Sequence, residues 1–240
     1  ETDTEGDFVC NKVYKVADRD INCWAPAAHG RLSLRGALEK SCNPSFIQLG
    51  QRIGKERFYK YLQAFGLLEK TGIRMSGESN SIFYNIDDCH EVELATMSFG
   101  QRFSITPLQL ITAVSASVNG GNLMQPRIVS KVVNTDTGVE TELAPVKVRQ
   151  VISEETSNKI KSMMKSVVTD GTGRYAAVNG YSVGGKSGTS EPPDDKKSQG
   201  YVASFIAISP AENPEVICLV VLQNPNSDGN GSHQGGTTCA

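Results

Sequence analysis

The chain has 240 residues, 38% hydrophobic and 21% charged, which is globular material long enough for one large domain or two lobes. A formal net charge of −2 gives no sign of a nucleic-acid partner or of a basic membrane-binding surface. No apolar stretch approaches a bilayer span, Val216 to Leu222 being the longest, and no signal peptide is present.

Residues 1–30 read as loop, with a polar lead-in from Glu1 to Asp7 that lacks an initiator Met. From Leu32 the period becomes helical. Leu34, Ala37 and Leu38 share a face, and the helix stops near Ser41. Pro44 suits the first turn of a second helix with Asn43 as its cap, carrying Phe46, Leu49, Gly50 and Ile53 until Gly54 ends it. A third helix carries Phe58, Leu62 and Phe65 and closes at Gly66. Residues 69–90 are mostly loop. Helices are expected from Val92 to Phe99 and from Thr106-Pro107 to the stop at Asn119-Gly120-Gly121. Strand-like text runs from Pro126 to Val133, and Asp136-Thr137-Gly138 is a turn between two β segments. Ser153 caps a helix with Met163, Met164 and Val167 on its buried face. Three strands, Tyr181 to Ser187, Tyr201 to Ile208 and Val216 to Gln223, form an antiparallel meander. The end of the chain, Gly235 to Ala240, reads as strand or loop, and the whole reads as a piece excised from a longer protein. The organisation is α+β: a loop region about 1–29, a helical lobe about 30–121, and an antiparallel sheet lobe with a covering helix about 122–240, with a cleft between the lobes.

The chemistry concentrates at Lys186-Ser187-Gly188-Thr189. On a strand, Lys186 and Gly188 face one way and Ser187 and Thr189 the other, and Gly188 lets another chain approach the backbone. Ammonium and hydroxyl donors bind a carboxylate, and free strand N–H groups pair with an extended peptide. Ser41-Cys42-Asn43 sits between two expected helices, where side chains project into a cleft. Ser117-Val118-Asn119 repeats the spacing, but there Asn119 reads as a helix stop. Ser162-Met163-Met164-Lys165 is the one S-x-x-K, and it lies within the covering helix.

These segments, together with His29-Gly30, Ala37-Leu38, Phe65-Gly66, Lys70-Thr71-Gly72-Ile73, Thr106-Pro107-Leu108-Gln109, Asn119-Gly120-Gly121 and Gly171-Thr172-Gly173, resemble a class B penicillin-binding protein transpeptidase domain. The match covers nearly the whole chain and is similar to the elongation-type penicillin-binding protein 2 group and its sporulation-specific relatives. The resemblance implies a penicilloyl-serine transferase fold with a five-stranded antiparallel sheet beside a helical lobe. It implies D,D-transpeptidation of peptidoglycan stem peptides through an acyl-serine, with β-lactams as acylating mimics. In that family S-x-x-K precedes S-x-N, so Ser162 stands in the wrong place. The nucleophilic serine and its lysine are expected upstream of Glu1, the C-terminal helix is expected beyond Ala240, and the chain alone is expected not to acylate.

By the same resemblance Ser41 relays the proton between nucleophile and leaving amine, and Asn43 bonds the substrate amide and the missing lysine. Lys186 supplies positive potential, Ser187 and Thr189 with Gly188 between them hold the substrate carboxylate, and the Thr189 N–H forms half of the oxyanion hole. The resemblance also implies an extracytoplasmic location, an N-terminal membrane anchor and a glycosyltransferase partner. A β-lactam sensor or hydrolase on the same fold is the alternative, although no short motif supplies a base for deacylating water. A zinc-stabilised binding module without catalysis is the other.

Of six cysteines, Cys218 reads as a core residue in an apolar strand, and Cys89, in a loop before His90, carries no assigned role. Cys10, Cys23 and Cys42 fall around His29 before the helical lobe and fit a structural Cys₃His zinc site, though without a C-x-x-C. A Cys10–Cys23 disulfide or unpaired thiols are the other readings. Some elongation-type relatives hold zinc beside S-x-N, and His29 to Cys42 fits that pattern.

Overall fold

The computed structural model describes residues 7–191, 200–225 and 232–240. The first thirty residues are not loop throughout. Strand β1 (Phe8–Cys10) pairs with β4 (Gly30–Leu32), and β2 (Val13–Val16) forms a hairpin with β3 (Arg19–Asn22), both antiparallel. The strands have three or four residues each, too few to show alternation. Their turns also lack a glycine signature, because the left-handed positions are filled by Lys12 (φ 75°) and Ala17 (φ 51°).

The helical part follows its capping signals. Ser33 caps α1 (Leu34–Glu39), its hydroxyl accepting from the Gly36 N–H. Helix α2 (Asn43–Ile53) begins one residue earlier than expected: Cys42, not Asn43, is its N-cap, and Pro44 lies within the first turn. Gly54 (φ 77°) separates it from α3 (Lys55–Ala64). Helix α4 (Glu91–Ser98) packs on α2 at Gly50, where a Cβ would stand 1.8 Å from Ser98 Oγ. Helix α5 (Pro107–Val118) opens with a capping box of Thr106 and Gln109. Gln109 is buried and also donates to Glu69 O, which ties the long loop to the helix.

Strand β5 (Asn122–Met124) pairs with β8 (Lys147–Gln150), and β6 (Lys131–Val133) with β7 (Glu140–Glu142) around the expected turn. Ser153 caps α6 (Glu154–Asp170), accepting from the Thr156 N–H. The main sheet runs β11 (Val216–Gln223), β10 (Val202–Ser209), β9 (Gly184–Ser190), all antiparallel. Among the described residues it has three strands, against the five the resemblance implies. Met163, Met164, Val167 and Val168 of α6 are buried, Met164 with Val118, Ile206 and Ile208 and Val168 with Phe205. Cys218 is exposed, not a core residue: Ile217 and Leu219 pack inward, and the two-residue strand period turns Cys218 outward. Cys89 is buried beside Tyr59, Leu94 and Met97.

The chain's last element is a short helix, α7 (Gly235–Thr238), laid against β9 and β10. It lies that close because a Cβ at Gly235 would stand 2.2 Å from Gly188 O and from Ser204 O. A similar constraint sets Gly185, where a Cβ would meet the Phe205 ring at 2.5 Å and Ile206 O at 2.7 Å. Replacing Gly185 by Ala is expected to lower the unfolding free energy by about 1–3 kcal/mol, measured by urea titration, as overpacking does in a filled core.

Candidate active site

Among the described residues, strand β9 is an edge of the main sheet. In an antiparallel pair, alternate residues turn both backbone groups away from the partner strand. Ser187 O accepts from Lys186 Nζ at 2.8 Å, and Thr189 O accepts from Gln101 Nε2 at 3.2 Å. Residues 187 and 189 therefore aim their backbone groups off the sheet, and the Thr189 N–H lies on that open edge.

The S-x-N turn faces this edge. Lys40 closes α1 and Cys42 opens α2, leaving Ser41 as the link, in left-handed backbone at φ 49°. Lys186 Nζ donates to Ser41 Oγ at 2.9 Å and lies 3.4 Å from Ser187 Oγ. Ser41, Lys186 and Ser187, 145 residues apart at the extremes of contact, thus form one hydrogen-bonded group. Burial holds the Lys186 ammonium well below the ordinary lysine range, at about 8. Ser187 Oγ lies 3.2 Å from Thr172 Oγ1, and Thr189 Oγ1 accepts from the Gly235 N–H at 3.0 Å. The chain that approaches Gly188 is the protein's own, since a Cβ there would lie 2.6 Å from Ser204 Oγ. Asn43 is not directed at Lys186: its Nδ2 donates to Asn22 O at 3.1 Å.

The duplicate motifs lie in other bonding networks. Ser117 Oγ donates to Ala113 O within α5, and Asn119 bonds Asn122 as the helix stops. Ser162 Oγ accepts from Arg35 Nη2 at 3.1 Å, while Lys165 is paired with Glu212, so this serine and lysine are held by different partners.

Two further residues touch the site that sequence motifs did not single out for it. Gln101 reaches from the loop after α4 to Thr189 O. Thr172 bonds both walls, its backbone N–H donating to Glu39 O at 2.9 Å and its hydroxyl meeting Ser187. The Gly171-Thr172-Gly173 text marked the segment, but nothing in it announces a partner at position 187.

Cys10, Cys23, His29 and Cys42 come together beside the turn, with their ligand atoms all within 4.8 Å of one another. Cys23 Sγ lies 3.6 Å from His29 Nδ1, and the three thiols are buried. Burial pushes the Cys42 thiol up to about 12, against the Ser45 hydroxyl and amide beside it, which favour the thiolate. Burial also raises the Cys10 thiol, but bonds from the His29 and Lys12 backbone and from Cys42 and Cys23 outweigh it and leave a net lowering. Burial keeps His29 below the ordinary imidazole range, with Lys40 and Lys12 adding to the effect, which favours the neutral ring that a metal binds. The donor set suits zinc. Four ligands about 2.0–2.3 Å from a tetrahedral ion are a little under 4 Å apart, close to the spacing already present. Ser45 Oγ, buried and without an oxygen or nitrogen partner, is placed to donate to a Cys42 thiolate.

A lysine on an edge strand, bonded to a serine in a turn between two helices, is the arrangement expected from the K-S-G-T and S-x-N segments. The family model described as "Penicillin binding protein transpeptidase domain" matches residues 2–238, and the chain belongs to that family. It is 42% identical to stage V sporulation protein D of Bacillus subtilis over 85% of this chain and 32% of that protein. It is 33% identical to the penicillin-binding protein PbpB of Mycolicibacterium smegmatis over 82% of this chain and 32% of that protein. Penicillin-binding protein 3 of Mycobacterium tuberculosis, solved with aztreonam, superposes with a TM-score of 0.86 at 29% identity over 97% of this chain and 55% of that one. The chain spans about a third of the length of the curated relatives it matches.

Lys186 makes a test of the buried ammonium direct. Its proton is held up to about 8 in the folded protein and up to 10.5 in the unfolded chain, so the unfolded state binds more protons between these values. Stability contributed by this group is expected to rise across that window, by up to about 3 kcal/mol. Urea unfolding of the wild type against Lys186→Met at pH 7.5 and 10.5 measures the difference; a constant difference would contradict it.

Proposed function

We propose that this chain is the substrate-orienting part of a D,D-transpeptidase that cross-links peptidoglycan stem peptides through an acyl-serine and is acylated by β-lactams. The observation that carries the reading is the 2.9 Å bond between Lys186 Nζ and Ser41 Oγ, which sets the K-S-G-T strand against the S-x-N turn with an open strand edge beside them.

The chemistry follows from the placement. The donor peptide lies along the open edge of β9, and its terminal carboxylate meets the Ser187 and Thr189 hydroxyls and the field of Lys186. A serine nucleophile, its hydroxyl proton taken by the lysine that accompanies it and handed on to Ser41, attacks the penultimate D-alanine carbonyl, and the Thr189 N–H donates to the oxyanion that forms. As the C–N bond breaks, Ser41 passes a proton to the departing D-alanine amine, and the peptide remains as a serine ester. An acceptor amine then attacks the ester, loses a proton through the same relay and releases the serine. Asn43 bonds the substrate amide once its carboxamide turns from Asn22 O. Ser162 and Lys165 are held by Arg35 and Glu212, so the reading takes the nucleophilic serine and its lysine from the full-length protein outside these 240 residues.

Among the described residues no helix is long and apolar enough to cross a membrane. The reading places the protein at the extracytoplasmic face, held by an anchor elsewhere in the full-length chain and working beside a glycosyltransferase that polymerises the glycan. Cys10, Cys23, His29 and Cys42 would hold a structural zinc ion. Four protein ligands leave no open position for water, so the ion would fix the loop and the Ser41 turn and take no part in the reaction. A disulfide would use two of these four groups, and a metal uses all of them.

Incubated with a penicillin, the full-length protein is expected to gain one stable acyl adduct by mass spectrometry. Ser41→Ala should slow its formation by about 10²-fold or more. The rate should also fall as pH rises through about 8 and Lys186 loses its charge. An adduct on Ser162, or a Ser41→Ala protein that reacts at the wild-type rate, would refute the assignment, and release of the adduct within minutes would favour a hydrolase. Purified protein is expected to carry roughly one zinc per chain and to expose three thiols to a thiol reagent only after chelation. A metal-free protein with a Cys10–Cys23 bond would refute the metal site.

A further inference from the structure

The single tryptophan of the chain is nearly half exposed, yet its polar atom is turned inward. Trp24 Nε1 donates to Lys40 O at 3.0 Å and to Ser41 O at 3.1 Å. These are carbonyls at the very link between α1 and α2, beyond the reach of either helix ladder. Ser41 sits there at φ 49°, a backbone region that residues other than glycine occupy only when their surroundings enforce it. Trp24 follows β3, and the stretch from Asn22 at the end of that strand to His29 grips the turn three times. Asn22 O accepts from Asn43 Nδ2, Trp24 bonds the carbonyls of Lys40 and Ser41, and Cys23 and His29 meet Cys42. Its ring also lies 6.4 Å from that of His29.

We propose that Trp24 is a positioning residue for Ser41: its indole N–H, shared between two carbonyls, holds the left-handed turn that aims Ser41 Oγ at Lys186 and into the groove. Trp24 touches no reacting atom, and its effect passes entirely through the serine. The inference rests on the transpeptidase reading, in which Ser41 is the proton relay. It accounts for a large, half-exposed aromatic without calling on a ligand, because the polar edge of the ring is already taken by the two carbonyls.

The test uses the full-length protein and the rate of acylation by a fluorescent penicillin, resolved into the rate constant at saturation and the half-saturating concentration. Trp24→Phe keeps a ring and removes the donor. It is expected to lower the rate constant about tenfold, with half-saturation changed less than twofold and the melting temperature within about two degrees, since a sub-ångström shift of a relay acts on rate more than on binding. In a Ser41→Ala background, Trp24→Phe is expected to have no further effect, whereas a residue with a merely structural role would lower both backgrounds alike. If Trp24→Phe does not fold, benzothienylalanine at position 24, which exchanges only the N–H for sulfur, is read in the same way. A wild-type rate for either variant, or an equal loss in both backgrounds, would overturn the proposal. A Ser41→Ala protein that acylates normally would instead overturn the relay on which it rests.

Discussion

An ammonium group taken out of water must find acceptors, and this requirement organises the groove. Lys186 is held in a site dry enough to bring its proton affinity down to about 8, and its acceptors are Ser41 Oγ, Ser187 O and, at longer range, Ser187 Oγ. Two of these are on its own strand. The third is on the opposite wall, so the bond fixes the width of the groove near a single side-chain contact. Without it the buried ammonium would keep only the acceptors of Ser187, and a donor left short of partners in a dry site is destabilising. The same group that a substrate carboxylate would sense is thus also the group that keeps the helical and sheet parts in register.

Other contacts limit how that bond can break. Thr172 ties the end of α6 to Glu39, just before the S-x-N turn, and also to Ser187. Gln101 ties the loop after α4 to Thr189 O. Gln101 bonds a carbonyl on the open edge that an extended peptide would itself use, so a peptide that pairs with β9 would share or replace this contact. The exchange of one hydrogen bond for another is nearly neutral in free energy. Its effect is to keep the edge strand satisfied and blunted when nothing is bound, a device by which exposed strands avoid pairing with the wrong chain.

What could be read from the sequence divides by range. Helix ends that depend on nearby residues were legible: Thr106-Pro107 at the start of α5, Ser153 at the start of α6, Gly54 and Gly66 at helix stops. The three strands of the main sheet were legible because apolar runs and polar links marked them, although β9 extends to Ser190, beyond the Ser187 expected. The strand pairs of the first thirty residues were missed, since strands of three or four residues show no period and the turns use Lys12 and Ala17. Cys218 was misread because an apolar run does not say which face of an edge strand is covered. Gln101, Thr172 and Trp24 were missed as site residues for another reason. Each acts on a group at least 15 positions away, and no local spacing encodes such a partner.

The cysteine and histidine cluster shows why the weakest spacing signal in the chain converged on a tight group. The hairpins β1 to β4 are short, and their core is small: Cys10, Cys23, Ala25 and Leu32 pack with Ala37 and Cys42. Little apolar area is available to hold such a segment against the helical part, and short unsupported hairpins are marginal in water. The polar grip of Asn22 and Trp24 on the turn therefore needs a second anchor to be worth its ordering entropy. Cys42 is suited to that task because it is the N-cap of α2 and the middle residue of S-x-N at once. Any force that draws Cys42 toward Cys10, Cys23 and His29 also sets the first turn of α2 and the backbone of its neighbour Ser41. A zinc ion held by these four residues, as proposed above, would couple the folding of this segment to the backbone of the Ser41 turn.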